Sequence, residues 1–126
     1  MLTHIILTVA DVGRSLAFYD AALQPLGIRY FLPYKGVGGE PDLYGFGDGQ
    51  RAFFWLRQGN PAPGSIHWGL RAESRDKVRE FFQAALSAGA KESIAPRIRR
   101  EYSADYYAAE VIDPDGYSFE VVHRNQ

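Results

Sequence analysis

The sequence contains one stretch of chain twice. Residues 4–9 and 67–72 both alternate in polarity, both begin with histidine, and lie 63 positions apart. Each is followed by a residue that typically begins a helix, Asp11 in the first copy and Ser74 in the second. The same offset relates three pairs within the predicted helices: Phe18 and Phe81, Ala22 and Ala85, and Leu23 and Leu86. This internal repeat predicts two copies of one supersecondary unit.

Three predicted strands complete each copy. They are short, rich in β-branched and aromatic residues, and separated by turn residues. They span 28–33, 43–46 and 52–57 in the first copy, and 91–94, 106–112 and 117–123 in the second. The sequence therefore predicts an α+β fold of two βαβββ repeats, about 1–58 and 64–126, within a single domain of 1–126. Segments 34–42 and 96–105 receive no assignment.

Composition narrows the classes of partner. The chain has 14 Lys and Arg against 15 Asp and Glu, a formal charge of −1, and no cysteine. This balance creates no overall field for nucleic acid or anionic lipid, so we expect neither a nucleic-acid partner nor a membrane. Disulfide frameworks and thiol catalysis are excluded, which favours a cytoplasmic location.

Alternation along the strands sorts the polar side chains by face. His4, His67 and Glu120 each fall on the side of their strand opposite the apolar row that packs under a helix. Two imidazoles and one carboxylate suit a divalent Fe, Mn, Ni, Co or Zn ion and leave coordination positions open for substrate. The alternative is structural, because Arg71 is a ready ion-pair partner for Glu120.

Further candidates surround this set. Tyr106 could supply a phenol, and Glu110, a charge within an otherwise apolar strand, could supply a base or pair with an arginine. These two are the candidate catalytic residues. Four residues are candidates for binding substrate, as an aromatic wall, a phenol and a cation: Phe53, Trp55, Tyr107 and Arg71.

These features together resemble a known family. The histidine-led strands, the stretch 11–19 before Leu26-Gly27, and the closing stretch 113–120 (DPDGYSFE) are similar to the vicinal oxygen chelate superfamily of glyoxalases, bleomycin-resistance proteins and extradiol dioxygenases. The resemblance implies a cupped half-barrel of paired βαβββ units around a metal. It places His4, His67 and Glu120 at the family's ligand positions. It also implies a small-molecule ligand and a homodimer, in which some relatives share each site between subunits.

The resemblance leaves the reaction open. It implies a lyase or a dioxygenase acting on a substrate that chelates the metal through adjacent oxygens. Glyoxalase I proteins carry an acidic ligand on the fourth strand, whereas residues 52–57 here read AFFWLR, so we do not expect a typical lactoylglutathione lyase. The alternative function is metal-free sequestration of a small molecule, as in bleomycin-resistance proteins.

Overall fold

The computed structural model describes residues 1–125 and contains the two predicted units. Unit 1 comprises β1 (Ile5–Val9), α1 (Val12–Ala22), β2 (Arg29–Tyr34), β3 (Leu43–Gly47) and β4 (Ala52–Gln58). Unit 2 comprises β5 (His67–Arg71), α2 (Arg75–Ser87), β6 (Lys91–Ile98), β7 (Tyr107–Ile112) and β8 (Ser118–His123). Single 3₁₀ turns lie at Gln24–Leu26 and Pro63–Ser65. The predicted end of the second repeat, Gln126, lies outside the described residues.

Each unit forms its own four-stranded sheet, with strand order β1-β4-β3-β2 in unit 1 and β5-β8-β7-β6 in unit 2. The first strand of each unit pairs in parallel with the last, and the remaining pairs are antiparallel. The α+β class and the paired βαβββ architecture are therefore confirmed. No helix within residues 1–125 is long and apolar enough to cross a membrane.

The predicted helix signals act as expected. The Asp11 carboxylate accepts a hydrogen bond from the Arg14 N–H, and the Ser74 hydroxyl accepts one from the Lys77 N–H. Each cap satisfies an N–H that a helix start would otherwise leave unpaired.

The two units share one hydrophobic core. Tyr19 of α1 is fully buried, and its ring contacts Phe46 and Phe54 of unit 1 and Trp68 and Phe119 of unit 2. The apolar row of each sheet faces this core, so alternation turns the opposite row outward. We call that outward side of each sheet its cup face.

A turn of unit 2 fastens the units together. Asp115, between β7 and β8, accepts hydrogen bonds from the Ala10 N–H and the Arg14 guanidinium of unit 1. Its neighbour Asp113 accepts one from the buried Tyr19 hydroxyl at 2.5 Å. Both carboxylates hold the turn and the interface between the units.

Most strand boundaries differ from the prediction by one residue, and β6 extends well beyond its predicted end. The sequence predicts a strand over 91–94 and leaves 96–105 without an assignment. In the structure β6 continues to Ile98, and Pro96 falls in the irregular register between Ile94 and Arg97. Because β6 is an edge strand, the missing N–H costs no ladder hydrogen bond there.

Candidate metal centre

Three potential ligands converge on the cup face of unit 2. The Nε2 atom of His67 lies 2.9 Å from Oε1 of Glu120 and 3.9 Å from Oε1 of Glu110. One ligand atom from each residue lies within 4.8 Å of the other two. We call this group the His–Glu–Glu triad.

Strand register brings the triad together. Glu110 of β7 is directly opposite Glu120 of β8, and β8 pairs on its other side with β5, which begins at His67. Gly69 is the β5 residue opposite Glu120. A Cβ at Gly69 would lie 3.2 Å from Glu120 Cγ, so the glycine leaves the space that this carboxylate side chain occupies.

Each triad member is held by a neighbouring hydroxyl. Tyr106 donates a hydrogen bond to Oε2 of Glu120 at 2.8 Å, and Ser93 donates one to Oε2 of Glu110 at 2.6 Å. Nδ1 of His67 lies 2.7 Å from Oγ of Ser118. These contacts leave Oε1 of both carboxylates and Nε2 of the imidazole directed toward one another.

The Tyr106 phenol has an altered titration. Burial, followed by its hydrogen bond to Glu120, raises the pKa of Tyr106 to about 12. A phenol is protonated at neutral pH in any case, and the raised pKa extends to higher pH the range in which Tyr106 donates its hydrogen bond to Glu120.

The donor set fits a divalent cation. Two ligand atoms bound at about 2.1 Å to one ion are separated by about 3 to 4.2 Å. The two distances from His67 fall close to this range, and an imidazole with two carboxylates suits Mn, Fe or Zn. The His67 side chain is 44% exposed while that of Glu120 is 10% exposed, so the triad opens to solvent on one side.

His4 lies outside the triad. It precedes β1 and lines a cleft of about 500 Å³ together with His67 and the neighbouring parts of β1 and β5. Its Nδ1 atom is 2.9 Å from the Thr3 hydroxyl. The two histidines thus border one cleft, and the role of His4 as a ligand stays a prediction.

The cup face of unit 1 is aromatic. Ile6 and Gly69 are equivalent under the 63-residue offset, and their strand partners are Trp55 and Glu120. Trp55 therefore occupies the position that Glu120 has in unit 2. Gly45 is opposite Trp55, and a Cβ there would lie 2.7 Å from the indole ring. Phe53 is partly buried at the edge of the 500 Å³ cleft.

The remaining candidate site residues lie in different parts of unit 2. Tyr107 lies on the helix side of β7, where its hydroxyl accepts a hydrogen bond from Arg79 of α2, away from the triad. Tyr106 is next to the triad, and Arg71 lines a cavity beside Tyr106. Arg99 is 7% exposed and pairs with Glu101, so it has a structural partner.

The sequence predicts Glu110 as a base, and the structure also brings it among the potential metal ligands. The signal lay in the hairpin: the turn at 113–116 sets the register, and that register puts Glu110 directly opposite Glu120. Nothing in the sequence indicates that the hydroxyls of Ser93 and Ser118 contact the triad.

Comparisons with known proteins agree with this fold. A structure of a glyoxalase/bleomycin resistance protein from Albidiferax ferrireducens T118 is 26% identical, with a TM-score of 0.76 and 98% of each chain covered. A glyoxalase I mutant from Zea mays is 18% identical, with a TM-score of 0.74, covering 99% of this chain and 46% of that one. Among curated proteins, no sequence matches this chain.

A further similar structure contains a metal. A mutant of the fosfomycin resistance protein FosX from Listeria monocytogenes, in complex with Mn(II), is 16% identical, with a TM-score of 0.68, covering 97% of this chain and 88% of that one. The family model for the Glyoxalase/Bleomycin resistance protein/Dioxygenase superfamily matches residues 1–121. The chain belongs to this superfamily.

Proposed function

We propose that the protein is a small metal-dependent enzyme, of lyase or dioxygenase type, whose substrate chelates a divalent cation through adjacent oxygens. The observation that carries the proposal is the convergence of His67, Glu110 and Glu120. Three protein ligands leave positions for two substrate oxygens. A Mn(II) complex of a protein with the same fold supports the choice of metal class.

The residues around the triad have separable tasks. A divalent cation bound there would supply Lewis-acid polarisation of a bound oxygen. Tyr106 fixes Glu120 through its phenol proton, and Ser93 fixes Glu110. We propose that Glu110, when it is not engaged as a ligand, accepts a proton from substrate, since its Oε1 is directed toward the triad.

His4 is proposed as a fourth ligand, supplied by the same chain or by a second copy in a homodimer. The support is the common cleft that it borders with His67. A carboxylate is missing from the corresponding cup face of unit 1, where Trp55 stands. We therefore propose that the reaction is not that of a typical lactoylglutathione lyase.

Metal binding tests this proposal directly. Mn²⁺ titration by calorimetry, after removal of bound metal with EDTA, should give one site per chain in the unaltered protein. His67→Ala and Glu120→Gln should weaken binding at least about 100-fold, because each removes a ligand. Glu110→Gln should weaken it about tenfold, because the Glu110 oxygen lies 3.9 Å from His67 Nε2 and that of Glu120 lies 2.9 Å away.

A matched control is available on β8. His123 bonds to the Ala72 carbonyl through Nδ1 and lies outside the triad, so His123→Gln should keep full affinity. Equal affinity in His67→Ala and the unaltered protein would disprove the site. His4→Ala tests the fourth ligand, and light scattering with and without Mn²⁺ tests the dimer.

The second candidate is metal-free sequestration of a flat small molecule. It is favoured by the indole of Trp55 lying over Gly45 beside a cavity of about 290 Å³. This function predicts ligand binding that survives EDTA and Glu120→Ala but is lost in Trp55→Ala. The enzyme proposal instead predicts that ligand binding is lost in Glu120→Ala.

A further inference from the structure

The sheet of unit 1 presents an aromatic surface without acidic side chains. Its four strands contain no Asp or Glu. The cavity of about 290 Å³ on its cup face is lined by Trp55 together with His4, Ile6, Tyr34, Leu43 and Ala52. Such a surface suits a flat apolar ring, and its strands carry no negative charge that would repel an anionic group on that ring.

One cation lies at the end of this surface. Arg57 follows Trp55 by two residues on β4, so both side chains lie on the cup face. The Nε–H of Arg57 donates a hydrogen bond at 2.8 Å to the hydroxyl of Thr8, its partner on β1. This bond orients the guanidinium, and the two terminal nitrogens donate no hydrogen bond to any of residues 1–125. An oriented guanidinium can bind a carboxylate through paired hydrogen bonds.

The carboxylates near Arg57 are engaged elsewhere or exposed. The segments adjoining this end of the face carry Asp11, Glu40, Asp42, Asp113 and Asp115. Asp11 accepts a hydrogen bond from the Arg14 N–H, and Asp113 accepts one from the Tyr19 hydroxyl. Asp42 pairs with Lys35, and Asp115 pairs with the Arg14 guanidinium. Glu40 is exposed to solvent, which screens its charge. Among residues 1–125 no carboxylate forms an ion pair with Arg57, so a ligand carboxylate has no competitor there.

From these observations we infer that the cup face of unit 1 binds a flat aromatic carboxylate, with its ring on Trp55 and its carboxylate on Arg57. Side chains two residues apart on a strand are about 6.6 Å apart, so a carboxylate attached to a ring at Trp55 reaches the guanidinium. A cavity of about 470 Å³, lined in part by Thr8, Arg57 and Asn60, meets the 290 Å³ cavity at Ile6 and gives this group room.

The inference deepens the second candidate function, on which it rests, by naming the chemical class of the flat ligand. It does not depend on the metal, because every residue that it uses belongs to unit 1 and the triad belongs to unit 2.

Two probes isolate the charge of the ligand. 2-Naphthoate and 2-naphthamide have the same rings and nearly the same shape, and only the first is an anion. In calorimetric titrations of EDTA-treated protein, 2-naphthoate should bind roughly tenfold or more tightly than 2-naphthamide, as expected for a charge-assisted contact. Arg57→Gln should remove this preference and leave the affinity for 2-naphthamide unchanged, which also shows that the face is still folded.

Arg51→Gln is the matched control. Arg51 is an exposed arginine that precedes β4, at the end of the strand opposite Arg57. The preference for 2-naphthoate should persist in this variant. Trp55→Ala should weaken binding of both probes at least about tenfold, because it removes the aromatic surface on which the ring packs.

The outcomes separate the carboxylate site from the function on which it rests. Equal affinity of the unaltered protein for the two probes, or a preference that survives Arg57→Gln, would overturn the carboxylate site. If Trp55→Ala then weakens both probes, binding of a flat ligand still stands. Absence of binding by both probes, or binding that Trp55→Ala leaves unchanged, would overturn both. Because EDTA removes bound metal, failure of the metal-dependent function alters none of these outcomes.

Discussion

The hydroxyl of Tyr106 orients one of the three side chains of the proposed metal centre. The Tyr106 phenol binds one oxygen of Glu120 and thereby directs the other toward His67. Such outer contacts fix the orientation of a ligand before the ion arrives.

Tyr106→Phe should therefore lower Mn²⁺ affinity about tenfold without unfolding the protein, because the ring that packs against Tyr102 and Arg124 is retained. Calorimetric titration measures the change. Tyr102→Phe is the control, since Tyr102 contacts the neighbouring ring and Arg99 but is not bonded to the triad. The same loss in both variants would refute the role of the hydroxyl.

The Tyr106 phenol should also lose its proton at a higher pH than an ordinary tyrosine. Its pKa is raised from 10.0 to about 12, so the folded state retains this proton between about pH 10 and 12 while the unfolded state loses it. This group's contribution to stability is complete below pH 10 and is lost as pH rises through 12. The difference in tyrosinate absorbance between the unaltered protein and Tyr106→Phe measures it, and ionisation near pH 10 would contradict it.

At this scale, the sequence showed which residues lie on the cup face but not their distances. Alternation placed His67 and Glu120 on one side of their strands because the apolar residues between them are buried. Whether Glu110 reaches the same point depends on the register of β7 against β8. Whether His4 does so depends on how the units, or two copies of the chain, are placed together.

At the scale of the elements, the turn between β7 and β8 carries a buried carboxylate, Asp113, whose pKa is shifted. Burial raises the pKa of Asp113, although hydrogen bonds from Tyr19 and from the N–H groups of Tyr117 and Asp115 oppose the rise. The corresponding turn of unit 1 carries Asp48, whose pKa is lowered by hydrogen bonds from the Arg51 and Gln50 N–H groups.

Asp113→Asn should alter how stability depends on pH. Because the folded state binds the Asp113 proton more tightly, this group's contribution falls as pH rises from below 3.8 through its raised pKa. The stability of Asp113→Asn relative to the unaltered protein should therefore increase with pH across that window. Urea unfolding at several pH values measures it.

Asp48→Asn provides the control of opposite sign. The lowered pKa of Asp48 means that its contribution is present above pH 3.8 and is lost as pH falls through the lowered value. The relative stability of this variant should decrease as pH rises. The same trend in both variants would show that burial of Asp113 is not the cause.

Prediction of the elements was most accurate where local signals were strong. Both helices begin at the predicted caps, because a side-chain oxygen next to an apolar helical pattern determines that boundary. The predicted end of β6 at Ile94 is wrong: the strand continues past Pro96 to Ile98, since an edge strand tolerates a proline. Whether a strand lies at the edge of a sheet depends on the order of all its strands, which the local sequence does not show.

At the scale of the whole molecule, metal binding should increase the free energy of unfolding. An ion that binds the folded state alone, at a free concentration 100 times its Kd, stabilises the fold by about 2.7 kcal/mol. Thermal unfolding with rising Mn²⁺ should show a progressive increase in Tm that EDTA reverses. Glu120→Gln should remove the increase. A Tm of the unaltered protein that does not change with Mn²⁺ concentration would argue against the site.

The duplicated architecture has an engineering consequence. Unit 1 offers His4, Trp55 and Gly45 at the places where unit 2 has His67, Glu120 and Glu110. Trp55→Glu would place a carboxylate at the position that Glu120 has in unit 2, whereas Gly45 has to stay, because a Cβ there would lie 3.0 Å from the backbone oxygen of Leu32 even without the indole. Trp55→Glu, which keeps His4, should therefore take up a second Mn²⁺ per chain more weakly than the triad binds the first, because it supplies two ligands instead of three.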